Sequence, residues 1–149
     1  MDDKYIWNVD LPIKLFDTDI DNEKFLEYIK GDELFKTSLS TKTIFILEHK
    51  TNQYPDCQLI PQNYVGVVNN IHIEDGILYA NVSMFTNLPY AYIIKKTYDL
   101  LHTDDNSVFY LTPHGTKENG RIIDISNFTL WHYPSHQNDT LGKMEMTTL

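Results

Sequence analysis

The chain has 149 residues, of which 42% are hydrophobic and 13% aromatic, a length and composition that suit one globular domain with its own core. A formal net charge of −9 at pH 7 argues against direct nucleic-acid binding, which needs a basic surface to displace counterions. The single cysteine, Cys57, excludes an internal disulfide framework and a cysteine-rich zinc site. No stretch reaches the roughly 18 apolar residues of a membrane span, and the opening MDDKYIWNVD lacks a positive segment followed by an apolar run, so neither membrane association nor a signal peptide is expected.

Tyr5 to Phe16 alternates apolar residues around Pro12 and reads as a short or edge strand. Asp21 or Asn22 can cap a helix with Glu23 in its first turn and a stripe of Phe25, Leu26 and Ile29, ended by Gly31. A second short helix is expected over Glu33 to Lys36. Thr43 to Glu48, TIFILE, is an apolar run that predicts a buried strand ending at His49. Lys50 to Asn63 is polar, carries Pro55 and Pro61, and predicts a long loop, a class of segment that is usually functional or mobile.

The least ambiguous stretch is Tyr64 to Phe85, in which two runs rich in Val, Ile and Tyr flank Glu74-Asp75-Gly76. A D-G pair between such runs predicts a β-hairpin. On its second arm Leu78, Ala80, Val82 and Met84 share one face, and Tyr79, Asn81 and Ser83 the other, as in a half-buried strand. Gly66 on the first arm marks a bulge or a close backbone approach. Asn87 then predicts an N-cap, with Pro89 in the first turn of a helix over Leu88 to Leu101 whose Ala91, Ile94, Tyr98 and Leu101 lie across a sheet. His102 to Asn106 is a polar connector. Ser107 to Thr112 predicts a strand, Pro113 to Gly120 a turn, and Arg121 to Trp131 another strand. These elements make an α+β domain over residues 1–135, a mostly antiparallel sheet or barrel with a few flanking helices. Residues 136–149 predict an extended or flexible tail.

No glycine-rich phosphate loop, HExxH or GxSxG element is present, and no cofactor is expected. Of the six histidines, His132 and His136 are four apart, but Pro134 between them forbids the helix that would align them on a metal. No metal site is expected. Serine with histidine offers more: a serine hydroxyl becomes a nucleophile when a base takes its proton and a third group orients the base. His49, at one strand end, and Ser107, at another, can meet if those strands are neighbours.

Read in order, these elements resemble the capsid-maturation serine proteases of tailed phages and herpesviruses, the prohead protease and assemblin group. The resemblance runs from an apolar strand ending in histidine, TIFILEH, through Val65-Gly66-Val67-Val68 and the acidic turn, to the helix and the serine-bearing strand Ser107-Val108-Phe109-Tyr110. It closes on Phe128-Thr129-Leu130-Trp131-His132-Tyr133-Pro134-Ser135 and covers roughly Thr43 to Ser135. It implies peptide cleavage by acyl transfer, with Ser107 as nucleophile, His49 as general base and then general acid, and Asn127 or His132 orienting His49. It also implies oxyanion donors near a Pro113-Gly115 turn, a capsid or scaffold protein as partner, a homodimer, and a place in the host cytoplasm or the virion or procapsid. The chain departs from the family in the long link Lys50 to Tyr64, in Phe109 where a small residue is common, and in Asn127 where an acid or second histidine is expected. Two other functions stand beside the protease: a catalytically inactive relative acting as a capsid-associated structural or scaffold-binding protein, and an acidic inhibitor of a host nucleic-acid-binding protein.

Overall fold

The computed structural model describes residues 3–15, 20–31, 43–46, 64–103, 108–132 and 145–149. Its strands are β1 (Ile6–Pro12), β2 (Thr43–Ile46), β3 (Tyr64–Glu74), β4 (Ile77–Phe85), β5 (Phe109–Glu118), β6 (Arg121–His132) and β7 (Glu145–Thr148), and its helices are α1 (Asn22–Gly31) and α2 (Pro89–Leu101). The strands form one sheet in the order β1-β4-β3-β2-β6-β5-β7. Most neighbours are antiparallel, while β2 with β6 and β5 with β7 run parallel. The expected α+β class with a mainly antiparallel sheet is what forms. The sheet does not close into a barrel: beyond β1, Ile13 makes an isolated parallel bridge to Leu111, and Lys14 N–H donates to the Leu111 carbonyl at 2.9 Å. One bridge is not a ladder.

The β3–β4 hairpin follows the expected pattern closely. Leu78, Ala80, Val82 and Met84 are fully buried, and Tyr79, Asn81 and Ser83 are half-buried on the opposite face. Asp75 and Gly76 turn with φ of 52° and 78°, the left-handed pair that matches strand twist in a two-residue hairpin loop. Gly66 marks a close approach: a Cβ there would lie 2.1 Å from the Ser83 carbonyl oxygen. The bulge of this hairpin falls between Val68 and Asn70.

Asp21 caps α1, its Oδ1 accepting the Lys24 N–H at 2.8 Å, and Phe25 and Ile29 enter the core. At α2 the N-cap is Leu88 with no side-chain cap bond, not Asn87. Pro89 at the first helical position has no N–H to satisfy and sets its own φ, so the start does not need a polar cap. Ala91 and Ile94 are buried, and Tyr98 packs edge-on against Trp7 at 5.1 Å. Leu101, expected on that face, is the last residue of the helix and is exposed, while the C-cap His102 stacks on Tyr98 at 4.2 Å.

The largest revision concerns β5, which continues through the expected Pro113–Gly120 turn to Glu118 and turns at Asn119-Gly120. Proline survives in this strand because, on the side away from β6, the bridge stops at Leu111 and the β7 ladder starts at His114, so Pro113 belongs to neither. Of the expected tail, residues 145–148 form β7, an edge strand on β5. The expected helix at Glu33 to Lys36 and the loop Lys50 to Asn63 lie outside the described residues.

One hydrophobic core joins β1, Ile44 of β2, both hairpins and the inward sides of both helices. Among the described residues, no helix is long and apolar enough to cross a membrane.

Candidate functional site

Three strand ends meet at one end of the sheet. Strand β6 lies between β2 and β5. Ile46, the last residue of β2, pairs with Leu130, and Phe109, the first residue of β5, pairs with His132, the last of β6. This follows from direction: β2 runs parallel to β6 and β5 antiparallel to it, so the end of β2, the end of β6 and the beginning of β5 fall together. Ser107 and His49 themselves lie outside the described residues. Ser107 precedes Phe109 by two residues and His49 follows Ile46 by three, links that span at most about 7 and 10 Å. Phe109, whose bulk departs from the family pattern, is buried in the hydrophobic core.

Asn127 is five residues before His132 on β6, about 17 Å along an extended strand, and the ladder between them has no shift. The two cannot serve one imidazole together. Asn127 pairs with His114 of β5 and is buried, whereas His132 stands at the shared end. The Pro113-Gly115 segment is not an oxyanion loop. His114 and Gly115 are strand residues, laddered to β6 on one side and β7 on the other.

A second feature, a buried polar row on β5 and β6, was not assigned from sequence. Thr112, His114, Asn127 and Thr129 are the buried polar residues among those described. Thr112 pairs with Thr129, and His114 with Asn127, so the four occupy successive same-face positions across the two strands. Trp131 Nε1–H donates to Thr112 Oγ1 at 2.8 Å, and the Thr129 hydroxyl is hydrogen-bonded to His114 Nε2. Ser126 Oγ lies 3.1 Å from the His114 carbonyl and 3.0 Å from Asn127 Oδ1. The Asn127 amide nitrogen is buried with no partner among the described residues.

A hydroxyl against an imidazole is chemically a nucleophile beside a base. Thr129, however, has no exposed surface, so a substrate carbonyl does not reach it, and the row, apart from the Asn127 amide nitrogen, keeps its buried polar groups hydrogen-bonded. The sequence signal for this row was the alternation Thr112, His114 and Asn127, Thr129, which by itself reads as a wet face. Nothing in it marks the face as covered.

Among the described residues no three His, Cys, Asp or Glu side chains gather as metal ligands. No family model, curated protein or solved structure matches this chain.

Proposed function

We propose that this protein is a serine peptidase of the capsid-maturation type, cutting scaffold or capsid peptides by acyl transfer at the end of the sheet where β2, β6 and β5 meet. The observation that carries the reading is the adjacency of three strand ends: the one that leads to His49, the one that follows Ser107, and the one that carries His132. Ser107, His49 and His132 come from distant parts of the sequence, and the strand order gives their flanking segments a common neighbourhood.

In this mechanism Ser107 Oγ attacks the scissile carbonyl carbon as His49 takes its proton. The tetrahedral intermediate collapses when His49 returns that proton to the leaving amine, leaving a Ser107 ester. Water, deprotonated by His49, then hydrolyses the ester. His132 is the orienting group of choice over Asn127, because it stands at the shared strand end and Asn127 is tied into the row with Ser126.

The test is labelling by a fluorophosphonate serine probe read by intact mass, with Ser107→Ala and His132→Ala as variants. The expected result is one adduct on the wild type, none on Ser107→Ala and slower labelling on His132→Ala, while Asn127→Ala labels at the wild-type rate once shown to be folded. No adduct on folded wild-type protein sinks the peptidase and leaves the catalytically inactive, capsid- or scaffold-binding relative.

A further inference from the structure

The outer face of β1, β4 and β3 carries an ordered row of polar side chains that the core does not require. Both helices send their buried residues to the opposite face, where they join Leu78, Ala80, Val82 and Met84 of β4. On the outer face Asn8 and Asp10 of β1, Asn69 of β3, and Asn81 and Ser83 of β4 form one connected set of hydrogen bonds. Asn8, Asp10 and Asn69 are exposed, and Asn81 and Ser83 are half-buried. Bonds within reach of water add little to stability, because water replaces a lost partner. Fixing the side chains that make them still costs rotamer entropy.

The ladder itself is bent to complete the row. Strand β3 bulges between Val68 and Asn70, and the extra residue is Asn69, whose Nδ2 donates to Asn81 Oδ1 at 3.1 Å and to Ser83 Oγ at 2.8 Å. Asn81 and Ser83 pair with different residues of β1, Asp10 and Asn8, so this one amide ties two cross-strand pairs together. A bulge that re-aims a side chain is a usual companion of a functional site. Among the described residues, the polar atoms of the row left over are the Asn69 carbonyl, the Asn8 amide nitrogen and the second Asp10 oxygen, a mixture of acceptors and a donor. Aromatic rings stand at both ends: Tyr79, stacked on His72 at 5.7 Å, and Phe85 share the outer side of β4 with Asn81 and Ser83, about 20 Å apart along the strand.

We propose that this face binds a neutral oligosaccharide laid along β4. Sugar hydroxyls each donate and accept, which suits a row that offers both, and the amides that would meet them are already held in one orientation on rigid strands. The apolar C–H faces of the sugar rings find Tyr79 and Phe85 at the two ends. A net charge of −9 and the exposed Asp10 repel an anionic glycan. A peptide strand is taken up at a sheet edge through backbone N–H and C=O groups, whereas this row lies on a face, across three strands.

The inference does not depend on Ser107 acting as a nucleophile, and its experiment reads glycan binding alone. The full chain is applied to a printed array of neutral and anionic glycans, and the strongest neutral binder is titrated by calorimetry against the wild type, Asn69→Ala, Asp10→Ala and, as a control on another element, Ile123→Ala. The expected result is that neutral glycans are bound and anionic ones are not. Each substitution in the row weakens the titrated affinity about tenfold, roughly the worth of one hydrogen bond, and Ile123→Ala leaves it unchanged. Both row variants keep the wild-type urea midpoint, which separates lost recognition from lost fold. No bound neutral glycan, a preference for anionic glycans, or binding indifferent to both row substitutions overturns the proposal.

Discussion

The β3–β4 and β5–β6 hairpins turn through the same geometry, with φ of 52° and 78° at Asp75-Gly76 and 54° and 76° at Asn119-Gly120, yet their polar faces meet opposite fates. Both put an apolar face into the shared core, Val82 and Met84 from one and Leu111, Phe128 and Leu130 from the other. On β4 the polar face stays wet. Asn69 Nδ2 donates to Asn81 Oδ1 at 3.1 Å and to Ser83 Oγ at 2.8 Å, Asn81 Nδ2 donates to Asp10 Oδ1 at 3.0 Å, and Ser83 Oγ donates to Asn8 Oδ1 at 2.5 Å. On β5 and β6 the polar face is buried, with Thr129 on His114 and Trp131 on Thr112. Two side-chain networks of similar chemistry thus differ in what breaking them costs, because water replaces a lost partner only on the exposed face.

That difference can be broken or sharpened by substitution, read throughout as the change in unfolding free energy from urea titration. The largest effect is expected for Phe128→Ala, which empties a fully buried position of β6 and should cost about 3–5 kcal/mol. Gly66→Ala comes next. It brings the exposed-face hairpin up to the sensitivity of the buried one, since its Cβ meets the backbone of Ser83, and it should cost about 3 kcal/mol, at the upper end for an overpacked site.

Thr129→Val keeps the shape but removes the hydroxyl from His114 in a buried row, for an expected loss of about 1–3 kcal/mol. The matching change on the wet face, Ser83→Ala, removes a hydroxyl that joins Asn69 and Asn8 and should stay within about 0.5 kcal/mol of the wild type. Equal costs for Thr129→Val and Ser83→Ala would show that burial does not set the difference between the two hairpins.

The same contrast explains what was legible in the residues. The β3–β4 hairpin could be read down to its turn and its facing because its signals are local: a D-G pair, a period of two, and one polar face left to solvent. The turn expected at Pro113 was misplaced because proline is a strand breaker only where its missing N–H is needed. At residue 113 neither the Leu111 bridge nor the β7 ladder needs it. Of the candidate site residues, Asn127 and His132 could be named from the last strand, but their separation along β6 follows from a ladder register that the sequence does not state. His114, the partner of Thr129, carried no sequence signal beyond its place in an alternating run.

By itself the sequence determined the α+β class, the Asp75-Gly76 turn of the β3–β4 hairpin and the one-sided burial of β4, because these depend on backbone preferences and on side-chain periodicity within a few residues. Tertiary structure alone decided that β2 inserts beside β6, that the ends of β2, β6 and β5 therefore share one end of the sheet, and that a row of Thr, His and Asn is buried while a row of Asn and Ser is not. The reason is that strand order and the covering of a face are set by contacts between residues far apart in the chain, and such contacts leave no periodic trace in either partner.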